Sequence, residues 1–176
     1  MRQTQSCKFA ELYDRIGGRL FAYLAARLGN RQDAADVLQE VFLRIVRAER
    51  KVWKADDVDA YVFRMARNEV NRMLSRRKRQ RQIQLEPNEI AGQVVSSSAA
   101  LEASDLAKFA LEQLEPDDLE IVALKLYGQM TFAQVAEVVG SPASSVATKY
   151  QRAIERLRDF FDRRTEIEER KERGTK

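Results

Sequence analysis

The 176-residue chain is expected to be all-α, two small helical bundles joined by a flexible linker, the second containing a helix-turn-helix. Three observations predict this. Apolar residues recur at helical spacing through most of the chain. Only three prolines and seven glycines occur, so long helices are permitted. Between Gln82 and Leu101 the periodicity is lost, and Pro87, Gly92 and Ser96-Ser97-Ser98 mark a polar, exposed connection. The expected division is 5–81, a linker at 82–101, 102–164, and a charged tail at 165–176.

Phe9, Leu12, Ile16, Leu20, Tyr23, Leu24 and Leu28 define an amphipathic first helix, weakened at Gly17-Gly18. Gly29 ends it and Asn30 caps the second helix, with Asp33 favourable in its first turn. Ala34, Val37, Leu38, Val41, Phe42 and Ile45 form that helix's inner face. A short connection, Lys51 to Ala55, leads to a third helix capped by Asp56 or Asp57 and running to about Arg81. Beyond the linker, Leu106, Phe109, Ala110 and Leu114 restore the helical period. Pro116-Asp117-Asp118 opens a further helix, which Gly128 closes.

The stretch from Met130 to Arg158 then reads as a helix-turn-helix. Thr131 and Gln134 have capping-box spacing. Val135, Val138 and Val139 make one apolar side, and Gly140 supplies the left-handed stop. Ser141-Pro142 restarts the chain, Ser as N-cap and Pro at the first helical position. The second helix sets Val146, Tyr150, Ala153, Leu157 and Phe160 inward. Ser144, Ser145, Thr148, Lys149, Gln151 and Arg152 face out near its entering end, the groups that base edges and phosphates require. An ordinary αα-hairpin with a solvated outer face is the plain alternative.

Charge distribution adds weight. Residues 1–81 hold 19 Lys/Arg against 10 Asp/Glu, residues 102–128 hold two against seven, and 129–164 are basic again. Two basic regions flanking an acidic one suggest two polyanion contacts. With no histidine, the usual general base and commonest metal ligand are missing. A lone Cys7 excludes an internal disulfide and a cysteine metal cage. No enzyme activity, cofactor or metal is expected. Without a membrane-length apolar run or a signal-peptide core, a cytoplasmic protein with no membrane insertion is expected.

Two constellations accompany the recognition helix. The third helix carries Arg64, Arg67, Arg72, Arg76, Arg77, Lys78, Arg79 and Arg81, eight cations opposed only by Glu69. Like charges so close repel, which is understandable if a polyanion supplies the missing negative charge. Asn68 and Asn71 lie within the run, with Trp53, Tyr61 and Phe63 just upstream, so unstacked bases of single-stranded DNA are a fitting ligand. Taken singly, Trp53 and Tyr61 also read as core residues. On the second helix Asp36 and Glu40 share a face beside Gln39. Nothing in the sequence would raise a carboxylate pKa there, so the pair suits a basic protein partner better than catalysis.

The run DAADVLQEVFLRIVRA closely resembles the polymerase-binding segment of sigma-70-type transcription initiation factors. AYVFRMARNEVNRMLSRRKR resembles their promoter-melting segment, and LEPDDLEIVALKLYGQMTFAQVAEVVGSPASSVATKYQRAIERLR their C-terminal domain. With only these two domains and a short tether, the chain resembles the extracytoplasmic-function subgroup. The resemblance implies that Asp36, Gln39, Glu40 and Arg44 contact core RNA polymerase. It implies that the Lys51–Asp57 loop with Trp53, and Tyr61, Arg64, Asn68, Asn71, Arg72 and Arg76, bind the melted minus-10 strand, one base being flipped out. Ser144, Ser145, Thr148, Lys149, Gln151 and Arg152 would read the minus-35 duplex. Partners implied are core polymerase, promoter DNA as duplex and as melted strand, and an anti-sigma factor.

Two residues depart from the family pattern. Ala147 stands where many members carry Lys or Arg, and Glu69 replaces a commoner apolar residue; from sequence its partner is either Arg72 or Arg76. Two other readings compete: a sigma-like mimic that sequesters an anti-sigma factor, and a stand-alone helix-turn-helix regulator. The first could discard the cations at 64–81, yet they are present. The second leaves Asp36, Gln39 and Glu40 without purpose.

Overall fold

A computed structural model describes residues 2–83, 106, 109–111 and 113–174. Helix α1 spans Arg2–Leu28, α2 Arg31–Arg47, α3 Glu49–Val52 and α4 Val58–Ile83. After the segment outside the described residues come α5 at Pro116–Leu126, α6 at Phe132–Val139 and α7 at Ala143–Gly174. All regular structure among the described residues is helical. The expected linker at 82–101 lies outside them except for Gln82 and Ile83, which prolong α4.

Helix boundaries follow local chemistry. Asn30 accepts from the amides of Gln32 at 2.8 Å and Asp33 at 3.2 Å, capping α2. Of the two candidate caps for α4, Asp57 is the one used, its carboxylate accepting from the Ala60 amide at 2.9 Å. Thr131 and Gln134 form the full capping box of α6, and Gly140 ends it at φ 71°. α7 starts one residue later than expected. Ala143 is its first residue, and the Pro142 carbonyl accepts the first bond, from Val146 at 3.1 Å.

The expected weakness at Gly17-Gly18 is overridden. α1 runs through both glycines, because Ile16 and Leu20 on either side are fully buried. Packing of that kind outweighs the roughly 1 kcal/mol by which a glycine disfavours a helix interior. After α2 ends at Arg47, residues 49–52 make the separate short helix α3, which takes in the first two residues of the expected connection.

α1, α2 and α4 pack against one another, and α5, α6 and α7 form a second group. The two groups share a buried interior. α1 lies on α5 and α4 on α6, so Leu20, Tyr23 and Phe63 belong to the same apolar cluster as Ile121, Leu124 and Val135. The T-shaped Tyr23–Phe63 pair, centroids 5.6 Å apart, sits inside it. No described helix is long and apolar enough to cross a membrane.

Candidate protein and nucleic-acid interfaces

The acidic face of α2 divides between two clefts. Asp36 and Glu40 line a cleft of about 330 Å³ against α4, together with Val37, Glu69, Arg72, Met73 and Arg76. Gln39 turns the other way, into an apolar groove of about 720 Å³ between α1 and α2. Sequence periodicity did not single out this groove. Its rim carries Tyr13, Leu43 and Val46, exposed by 52%, 45% and 56%. The available signal was Leu43 and Val46, two large apolar residues on the outer face of an otherwise well-patterned helix.

Glu40 accepts from the Arg44 Nε at 2.8 Å, which lowers the pKa of its carboxyl against the opposing effect of burial. The positive charges of Arg44, Arg47 and Arg72 act in the same direction. A general acid would need the opposite shift; this carboxylate is held in its charged form. Arg44 also pairs with Glu69, and Glu69 with Arg72. The question of Glu69's partner is thereby answered twice: Arg72 on its own helix and Arg44 on α2.

Along α4, Asn68, Arg72 and Arg76 are exposed, while Tyr61, Arg64 and Asn71 are half-buried. The Arg64 guanidinium lies over the Tyr61 ring at 5.3 Å. Trp53 is half-buried, tilted against Phe9 with centroids 5.7 Å apart. Its indole nitrogen is buried without a hydrogen-bond partner.

The expectation that the α4 cations are opposed only by Glu69 needs correcting. Arg67 reaches Glu120 of α5 at 3.0 Å, Arg77 reaches Asp33 of α2 at 2.6 Å, and Arg64 approaches Glu137 of α6 at 3.8 Å. These carboxylates are far away in sequence, so a scan of one helix finds only repulsion. Arg67 and Arg77 hold helices together, while Arg76, Lys78 and Arg79 make no ion pair among the described residues.

α6 lies on the first half of α4 and is tied there. Gln134, the capping-box residue, donates its side-chain amide to Asp57 at 2.7 Å. Together with the Ala60 amide, the stronger influence, this depresses the Asp57 pKa. Nearby, Arg19 bridges Asp59 at 3.2 Å and the Gly128 carbonyl at 3.1 Å. The buried Glu120, 4% exposed, gathers Arg67, Arg27 at 3.5 Å and the Tyr23 hydroxyl at 3.3 Å. None of Arg19, Arg27 and Glu120 was singled out from sequence. The visible hint was an acidic residue on the apolar side of α5.

On α7, Ser144, Ser145, Thr148, Gln151 and Arg152 are exposed, as the helical period requires. Thr148 back-bonds to the Ser144 carbonyl at 3.0 Å. Lys149 is half-buried and pairs with Asp117 of α5 at 3.3 Å. Val146 and Ala153 are fully buried beneath this surface, so the outward set is held on a rigid helix.

Among known proteins, Sigma-70 region 2 matches residues 12–80 and Sigma-70, region 4 matches residues 105–157. The ECF RNA polymerase sigma factor BldN of Streptomyces coelicolor is 26% identical over 161 residues, covering 85% of this chain and 58% of BldN. The chain thus spans little more than half the length of that curated relative. The sigma factor RpoE in its complex with the anti-sigma factor NepR from Bartonella quintana superposes with a TM-score of 0.75 at 18% identity. That match covers 88% of this chain and 97% of RpoE. CnrH, in complex with the cytosolic domain of CnrY, gives 0.63 at 23% identity, covering 88% and 87%. Both structural likenesses extend across the two helical groups. Two regions of one family, matched in order over most of the described helices, place this chain in the sigma-70 family with the make-up of its extracytoplasmic-function members.

Proposed function

We propose that the protein is a transcription initiation factor that binds core RNA polymerase and directs it to promoters. Division 5–81 would dock on polymerase and hold the melted minus-10 strand, and 102–164 would read the minus-35 duplex. The observation that carries the reading is the placement of three surfaces. The acidic edge at Asp36 and Glu40, with Arg44 beside it and Gln39 on the opposite side of α2, borders the α4 face bearing Arg72 and Arg76, with Asn68 exposed on the same helix. The outward set of α7, Ser144, Ser145, Thr148, Gln151 and Arg152 with Lys149 at its edge, lies on a separate helix. Tyr61, Arg64 and Asn71, with Trp53 inside the Lys51–Asp57 loop, would complete the strand-binding group. The role is regulatory; chemistry belongs to the polymerase.

An antagonist protein is the further partner supported by family membership, since RpoE and CnrH are both seen bound to a second protein. With α6 tied to Asp57 and Arg64, full access to the first half of α4 requires the two helical groups to part.

The test is reconstitution with core polymerase. Adding the protein should yield specific transcripts from a promoter library. Lys at both Asp36 and Glu40 should abolish assembly with core while the circular-dichroism spectrum is retained. Unchanged co-purification of that variant with core would refute the docking role.

A further inference from the structure

Glu69, the acidic departure from the family pattern on α4, is 8% exposed and has arginines on both sides. One carboxylate oxygen takes Arg44 of α2 and the other takes Arg72 of α4. Arg44 is itself shared, since its Nε donates to Glu40 at 2.8 Å. The result is a row of alternating charge, Glu40, Arg44, Glu69, Arg72, crossing from the edge of α2 to the exposed face of α4. Its first and last members line the same open cleft.

We propose that Glu69 is a positioning residue that relays occupancy of Glu40 to Arg72, releasing Arg72 toward DNA once a cation on a protein partner has taken Glu40. The inference rests on the reading of α2 as the polymerase-docking edge and of Arg72 as a strand contact. The electrostatics fix its sign. While Glu40 is unoccupied, it draws on Arg44, and Glu69 needs Arg72 to remain satisfied at a nearly buried site. When a partner's cation pairs with Glu40, the positive charge of Arg44 is given wholly to Glu69. The hold of Glu69 on Arg72 then weakens. Arg72, about half exposed, becomes available to a phosphate or base edge. An apolar residue at position 69 would leave Arg72 free at all times, and strand binding would lose this dependence on the docking edge.

The experiment measures binding of a short fluorescein-labelled DNA single strand of mixed sequence to the full chain, by anisotropy at low salt. Glu40→Gln mimics a Glu40 whose charge has been taken by a partner. It should tighten strand binding about three- to tenfold. In a Glu69→Gln background, where Arg72 is already released, the same change should give less than about twofold, from relief of the screened through-space repulsion between Glu40 and the phosphates. In an Arg72→Gln background it should give equally little. Equal enhancement by Glu40→Gln in all three backgrounds, or none in the parent, overturns the relay. Should Glu69→Gln prove unfolded by circular dichroism, an Arg44→Gln background, which cuts the row between Glu40 and Glu69, takes its place with the same expected loss of enhancement, and full enhancement there overturns the relay. Parallel assembly with core polymerase separates the two levels. Intact assembly with additive strand effects removes the relay and leaves the initiation-factor reading standing. Loss of both core and strand binding in the parent removes that reading and the relay with it.

Discussion

Tyr23 and Glu120, 97 positions apart in the chain, meet in the buried interior with the phenol hydroxyl 3.3 Å from the carboxylate. Arg27 and Arg67 close around the same carboxylate, at 3.5 Å and 3.0 Å. Both arginines come from one helical group and Glu120 from the other, so the cluster fastens the two.

Replacing Glu120 by Ala should therefore be severe. It leaves Arg27, whose side chain is almost wholly buried, without its carboxylate. Breaking one partner of a buried pair costs about 3–5 kcal/mol. Denaturant unfolding should show that loss, and small-angle scattering should show a larger radius of gyration as the groups separate. A variant as compact and as stable as the parent would disprove the fastening role.

Tyr23 gives a pH signature. Burial, and secondarily the charge of Glu120, raise its phenol pKa well above the ordinary value, outweighing the opposing effect of Arg27 and Arg67. The folded state thus keeps a proton that the unfolded state releases from about pH 10 upward. The stability is fully present below that pH and declines above it, by roughly 1.4 kcal/mol per pH unit from this group alone. Tyr23→Phe should remove this component of the decline. The check is denaturant midpoints from pH 8 to 11 for both proteins, where parallel curves would contradict the assignment.

Gly128 closes α5 in a turn too tight for a side chain. A Cβ there would lie 2.5 Å from the Leu124 carbonyl oxygen. The turn is stitched by Gly128 N–H to the Ala123 carbonyl at 3.1 Å and Met130 N–H to the Leu124 carbonyl at 3.3 Å. Gly128→Ala should destabilise by about 1–3 kcal/mol. Because the Gly128 carbonyl is also the acceptor for Arg19, an Arg19→Ala change should lose part of its own effect in that background. A double-mutant cycle of unfolding free energies measures this, and strict additivity would argue against the coupling.

Arg152 projects from α7 into solvent beside Gln151. Arg152→Ala should weaken holoenzyme binding to a duplex upstream element by about 1–3 kcal/mol while sparing assembly with core. Filter binding on promoter fragments, with co-purification as control, distinguishes a reader from a bystander.

What could be read from the chain alone was whatever is decided within a few residues. Asn30, Thr131 with Gln134, and Gly140 act on their own helix ends, so their roles follow from sequence spacing. The outward set on α7 follows from the 3.6-residue period. Arg67 belongs to a different case: among like charges it looks like a polyanion contact, and only folding brings it to Glu120, 53 positions on. Glu69 could be paired from sequence with Arg72, three residues away, but not with Arg44 on another helix. The apolar groove at Tyr13, Leu43 and Val46 went unseen because a groove belongs to two helices, neither of which specifies it alone.

α6 bears on α4 through one side and braces α7 through another. Lifting α7 away together with α6 consequently uncovers the first half of α4 in the same movement. Any two ligands that each demand the parted arrangement divide a single conformational penalty between them, and each must raise the affinity for the other by an identical factor.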